Sequence, residues 1–170
     1  MFTDAQMRLA TDVLDTARDQ GAMIVTAESC TGGLIAALLT EIAGSSAVVD
    51  RGFVTYSNEA KRDMLDVRSE AIEQFGAVSE QVANQMAQGA LAKSGARYSA
   101  AVTGIAGPGG GTQEKPVGLV HIAVGASIGI FPKTVAHQRC EFGDVGRSEI
   151  RAQTMERALK MLLDAMRSAI

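Results

Sequence analysis

The chain has little of what many binding and catalytic classes need. It contains no tryptophan, two tyrosines and five phenylalanines, so aromatics make up only 4% of its residues. That weakens base stacking as a main activity. It has no excess of positive charge: 16 Lys and Arg stand against 19 Asp and Glu, for a net charge of −3. A double-stranded nucleic-acid binder carries a basic patch or an overall basic excess, so no nucleic-acid partner is expected. Two cysteines, Cys30 and Cys140, form no disulfide framework, and with two histidines they make no spaced zinc site. No metal and no cofactor are expected, and both thiols read as reduced ones in a cytoplasmic protein. The first residues show no basic segment leading into an apolar run, so no signal peptide is expected. The longest weakly polar stretch, Val117 to Pro132, contains His121 and Ser127. It is shorter than the ~20 residues of a spanning helix, so no membrane partner is expected either.

What remains is an ordinary soluble mixture of 46% hydrophobic and 21% charged residues over 170 positions. That length fits a single domain, 1–170, able to bury roughly 70% of its unfolded surface. No repeat, linker or shift in composition divides it. Met7, Leu9, Ala10, Val13, Leu14 and Ala17 recur at helical spacing between Asp4 and Gln20, and Gly21 stops the pattern. Ala22 to Ala27 reads as a buried strand, followed by a helix over Gly32–Ile42. A second strand lies within Ala47–Tyr56. Asn58 is a plausible cap for a helix through Leu65. Ser69–Phe75 forms another short helix, and Ser79 caps a longer one through Lys93. Tyr98–Val102 is a strand, Gly104–Pro116 a glycine-rich loop, and Val117–Val124 with Ile130–Cys140 a hairpin. Arg147–Ile170 closes the chain as a helix. This order predicts an α/β fold: one three-layer α/β/α domain with a mixed, mainly parallel sheet and a C-terminal hairpin plus helix. Ligands of such sheets sit outside the carboxyl ends of strands.

Three loops leave strand ends there. In Glu28–Gly33, small hydroxyl residues stand at a helix start, where free N–H groups bind anions. Ser29 is a candidate nucleophile, and plain helix capping by Ser29 or Thr31 is the blander reading. The hydrolase elbow Gly-x-Ser-x-Gly is absent, because Ala27 and Thr31 hold the glycine positions. In Tyr56–Lys61, a lysine one turn into a helix meets N–H groups that disfavour its charge, and burial would lower its pKa further. Thr103–Thr112 is rich enough in glycine to approach a phosphate closely, yet it is neither a P-loop nor a dinucleotide fingerprint. Cys30, His121 and His137 read as packed or edge residues, and a Ser-His-Asp triad is not expected.

Four motifs occur together and in order: Glu28-Ser29-Cys30-Thr31-Gly32-Gly33, Gly52 through Lys61, Gly76-Ala77-Val78-Ser79, and Thr103 through Gly110. On them the chain resembles the C-terminal domain of the competence/damage-inducible CinA family, in its stand-alone form, from Ala5 to Leu162. The longer members' additional N-terminal domain has no counterpart in these residues. The resemblance implies deamidation of nicotinamide mononucleotide (NMN) to nicotinate mononucleotide and ammonia, without metal, by a serine nucleophile and a lysine base. The matching positions are Ser29 and Lys61, with Tyr56 and Thr103 near the site. A family Gly-Asp-Arg motif reads here Gly143-Asp144-Val145-Gly146-Arg147, two residues longer, with Arg147 as the equivalent arginine.

The expected mechanism places Ser29 on the carboxamide carbon and Lys61 as base, with Tyr56 assisting. The Thr31, Gly32 and Gly33 N–H groups would stabilise the oxyanion. The substrate phosphate would lie on the loop holding Gly104, Gly107 and Gly109, with Arg147 as a bidentate partner and Thr103 nearby. The two loops' roles are interchangeable at this stage. The alternative function is a non-enzymatic nucleotide-binding or regulatory module linked to competence or DNA damage. A homodimer or higher homo-oligomer is the expected assembly.

Overall fold

The computed structural model describes residues 2–128 and 131–168. Helix α1 (Asp4–Asp19) opens on a reciprocal cap, in which the Thr3 side chain accepts from the Gln6 N–H and the Gln6 side chain accepts from the Thr3 N–H. Strand β1 (Ile24–Glu28) leads through a turn into α2 (Leu34–Glu41). That helix starts two residues later than the pattern suggests, because Gly32 and Gly33 take φ of +60° and +96°, which no helix accommodates. A single 3-10 turn at Ser45–Ala47 delays strand β2 to Val49–Val54.

Helices α3 (Asn58–Leu65), α4 (Ser69–Phe75) and α5 (Glu80–Ala92) follow in succession. The cap of α3 is Ser57, whose hydroxyl accepts from the Ala60 N–H; Asn58, the expected cap, is the first helical residue. Ser79 caps α5 as expected. Strands β3 (Tyr98–Gly104), β4 (Leu119–Ile128) and β5 (Phe131–Glu141) and helix α6 (Arg147–Ser168) complete the chain. The expected strand start at Ile130 and the helix end at 169–170 lie outside the described residues.

The five strands form one mixed sheet in the order β2-β1-β3-β4-β5. β1 pairs in parallel with β2 and β3, while β3–β4 and β4–β5 are antiparallel. The expectation of a mainly parallel sheet therefore holds for strand direction, four strands pointing one way, but not for pairing, which divides evenly. The cause is the long loop from Ile105 to Gly118, which returns the chain from β3 without a crossover helix, so β4 must run back.

Side chains alternate across the strands into two cores. Ile24, Val102, Val120, Ile122 and Val124 face α1, α2 and α6. Val25, Ala27, Ala101 and Ala123 face the layer of α3, α4 and α5. The chain passes from β1 to β2 on one side and to β3 on the other, so its direction of winding switches at the carboxyl ends of β1 and β3. No helix among the described residues is long and apolar enough to cross a membrane.

Candidate active site

The chemistry converges at that switch point. The β1–β2 register pairs Glu28 with Val54, so the residues after them, Ser29 and Thr55, leave the sheet side by side. The Ser29 N–H donates to Val102 O at 3.0 Å, and the Thr55 N–H to Glu28 O at 2.9 Å. Both extend the sheet by one residue. From Thr55 the chain turns into α3, and Lys61 on its first turn reaches back toward the strand ends.

Lys61 is 1% exposed. Its Nζ lies 2.9 Å from Ser29 Oγ, 2.8 Å from Thr55 O and 3.5 Å from Tyr56 O. As an ammonium it donates to all three. As a neutral amine it keeps two hydrogens for the two carbonyls and turns its lone pair to the Ser29 hydroxyl. Burial favours the second form, pushing the Lys61 pKa from 10.5 down to about 8. Burial also pushes the Cys30 thiol up to about 12, so the neighbour of Ser29 stays an uncharged thiol and is a poor nucleophile.

Ser29 and Lys61 open into a cavity of about 210 Å³. Cys30, Ala77, Val78 and Ala106 form its apolar wall; Tyr56, Asn58, Thr103, Gly104 and Arg147 complete it. The Thr103 hydroxyl donates to Ala77 O at 2.8 Å, and Lys115 Nζ donates to Val78 O at 2.8 Å. Arg147, the first residue of α6, donates from Nη1 to Gly107 O and from Nη2 to the Tyr56 hydroxyl, each at 2.9 Å. Its guanidinium thus bridges the loops after β2 and β3 at the cavity mouth. Among the described residues, no group of three or more His, Cys, Asp or Glu is arranged to hold a metal ion.

The family model for the CinA C-terminal domain matches residues 6–166. The chain belongs to the CinA C-terminal domain family. It is 47% identical over 162 residues to the nicotinamide-nucleotide amidohydrolase PncC of Escherichia coli K12, covering 95% of each chain. It is 54% identical over 123 residues to a CinA-like protein of Colwellia psychrerythraea, covering 72% of this chain and 28% of that longer one. The crystal structure of the competence/damage inducible protein CihA from Agrobacterium tumefaciens superposes with a TM-score of 0.93 at 56% identity, over 98% of both chains. A CinA superfamily protein from Klebsiella pneumoniae superposes at 0.87 with 36% identity, over 96% of this chain and 98% of that one.

Within this family fold, the expected site residues separate into two groups. Ser29, Tyr56, Lys61, Thr103, Gly104 and Arg147 share the cavity. Gly107 touches it only through its carbonyl on Arg147. Gly109 lines a different cavity of about 670 Å³, which Glu141 and Asp144 also border. Thr31, Gly32 and Gly33 do not line the Ser29 cavity. For Gly32 and Gly33 the expected part as oxyanion donors meets a physical obstacle, because their N–H groups are already engaged. The Gly33, Ile35 and Ala36 N–H groups all donate to the Glu28 carboxylate. The Gly32 and Leu34 N–H groups donate to Ser29 O and Thr31 O.

Sequence reasoning missed Glu28 and Arg151. Arg151 lies one turn after Arg147 and donates to Thr31 O at 2.7 Å. A glutamate immediately ahead of a helix start was the available signal for Glu28, since negative charge is favoured there. The histidines stand apart from Ser29. His121 Nδ1 and His137 Nε2 are 3.0 Å apart with stacked rings. Burial and the neighbouring His137 push the His121 pKa down to about 4.

Proposed function

We propose that this chain hydrolyses the carboxamide of nicotinamide mononucleotide to nicotinate mononucleotide and ammonia, with Ser29 as nucleophile and Lys61 as its base. The observation that carries the mechanism is the 2.9 Å approach of a buried lysine to a serine hydroxyl, with two carbonyls placed to hold its other hydrogens. The substrate class follows from the similarity to PncC across nearly the whole chain.

Neutral Lys61 takes the Ser29 proton as Oγ attacks the carboxamide carbon. The Lys61 ammonium returns that proton to the amide nitrogen, and ammonia leaves. Water then attacks the resulting ester while Lys61 accepts its proton, and collapse frees the acid and restores the Ser29 hydroxyl. With the start of α2 occupied, the oxyanion falls to the cavity wall, where the Cys30 N–H immediately follows the nucleophile. Arg147 takes the substrate phosphate at the mouth, where a guanidinium binds it bidentately. Tyr56 acts here by holding Lys61 with its carbonyl and Arg147 with its hydroxyl.

The test is ammonia release from nicotinamide mononucleotide, with a chelator present, by wild type and by Ser29→Ala. Wild type is expected to turn over, and the variant to bind the nucleotide while losing at least about a thousandfold in kcat. Nucleotide binding without ammonia release by the wild type would leave a binding module, and full activity in the variant would remove Ser29 as nucleophile.

A further inference from the structure

The Glu28 carboxylate is fully buried and forms no ion pair among the described residues. Five donors surround it instead. Oε1 accepts from the Thr26 hydroxyl at 3.2 Å and the Ala36 N–H at 2.8 Å. Oε2 accepts from the Thr31 hydroxyl at 2.6 Å, the Gly33 N–H at 3.1 Å and the Ile35 N–H at 3.0 Å. A serine or threonine cap would satisfy one helix N–H. This carboxylate satisfies three, and it also grips the strand before the turn and the turn itself.

We propose that Glu28 is a positioning residue for Ser29: its carboxylate binds β1, the turn and α2 into one unit that presents Ser29 Oγ to Lys61. The main chain of Glu28 completes the device, because its carbonyl accepts from the Thr55 N–H, and Thr55 O in turn accepts from Lys61. Nucleophile and base are therefore referenced to the same residue. The turn needs such a clamp, since two successive glycines at positive φ give it no stiffness of its own. The same carboxylate takes three N–H groups at the start of α2, so the substrate phosphate finds no anion site on them and is left to Arg147. The role presupposes the serine–lysine reading, and its test is arranged to stand apart from the substrate.

Glu28→Gln puts an NH2 against donors and orphans at least one of them. Its kcat is expected to fall about a hundredfold, the cost of a misplaced reacting atom, with KM within about twofold of wild type. Thr31→Val, which removes one donor from a residue outside the cavity, is expected to lose about tenfold in kcat in the same manner. Leu14→Ala, a buried change on α1, lowers the melting temperature as a control while leaving kcat within about twofold. Ser29 capture by a fluorophosphonate reports the same geometry with no nucleotide present, and should slow in both Glu28→Gln and Thr31→Val. Unchanged kcat, a loss confined to KM, or an equal loss in Leu14→Ala would overturn the role. If wild type releases no ammonia from nicotinamide mononucleotide, the substrate reading falls alone. The capture rates then decide: slower capture in the variants supports Glu28, and equal capture overturns it.

Discussion

Replacing Lys61 by methionine should stabilise the protein while destroying its activity, and the gain should vanish in alkali. The side chain is nearly isosteric and fills the same fully buried site. In the folded chain burial pushes the Lys61 pKa from 10.5 to about 8, so the folded state resists a proton that the unfolded state takes readily. Each pKa unit corresponds to about 1.4 kcal/mol, so the buried lysine costs about 3 kcal/mol of stability at pH 7. Between pH 8 and 10.5 the unfolded chain binds more protons than the folded one, so stability rises with pH and the cost shrinks to about 1 kcal/mol at pH 10. Methionine leaves Thr55 O and Ser29 Oγ without their donor, at about 1 kcal/mol each. Lys61→Met should therefore be about 1 kcal/mol more stable than wild type at pH 7 and about 1 kcal/mol less stable at pH 10. Urea denaturation of both proteins, followed by circular dichroism at the two pH values, measures the difference directly. Groups common to both chains cancel in it. A difference that does not change with pH, or a variant less stable than wild type at pH 7, refutes the account of Lys61 as a lysine held ready to lose its proton. The same pKa predicts that kcat/KM for ammonia release climbs with pH to a half-maximum near 8, with about a tenth of the limiting rate at pH 7.

Arg147→Gln should raise KM for nicotinamide mononucleotide by about tenfold to a hundredfold, the worth of a charged hydrogen-bond partner, with little change for the riboside that lacks the phosphate. Steady-state assays on both substrates check it, and an equal effect on both would place the phosphate elsewhere. At acid pH the opposite end of the stability curve belongs to His121. It stays neutral in the fold down to about pH 4, whereas the unfolded chain protonates it below 6.5. Stability should therefore fall by about 3 kcal/mol over that window, and His121→Asn should show a correspondingly shallower acid loss in urea titrations at pH 7 and 4.5.

The elements were legible because their signals are local. Ser79 and the apolar spacing of α1 each act within one or two turns of chain, and so does the placement of Lys61 one turn into α3. Ser29 and Lys61 were also legible as separate candidates, each from its own loop. What joins them was not. They lie 32 residues apart, and their 2.9 Å approach depends on the parallel register that seats Glu28 beside Val54. Register is fixed by pairing partners across the sheet, which no local pattern specifies. The same limit bears on the expected oxyanion donors. Thr31, Gly32 and Gly33 adjoin Ser29 in sequence, and proximity along the chain suggested proximity in the site. In the structure the Glu28 side chain turns inward and takes the Gly33, Ile35 and Ala36 N–H groups for itself, while Ser29 lines the cavity without Thr31, Gly32 or Gly33. A helix start next to a nucleophile is therefore an oxyanion site only while no carboxylate of its own strand reaches it first, and a glutamate immediately before the nucleophile is reason to test that before assigning the role.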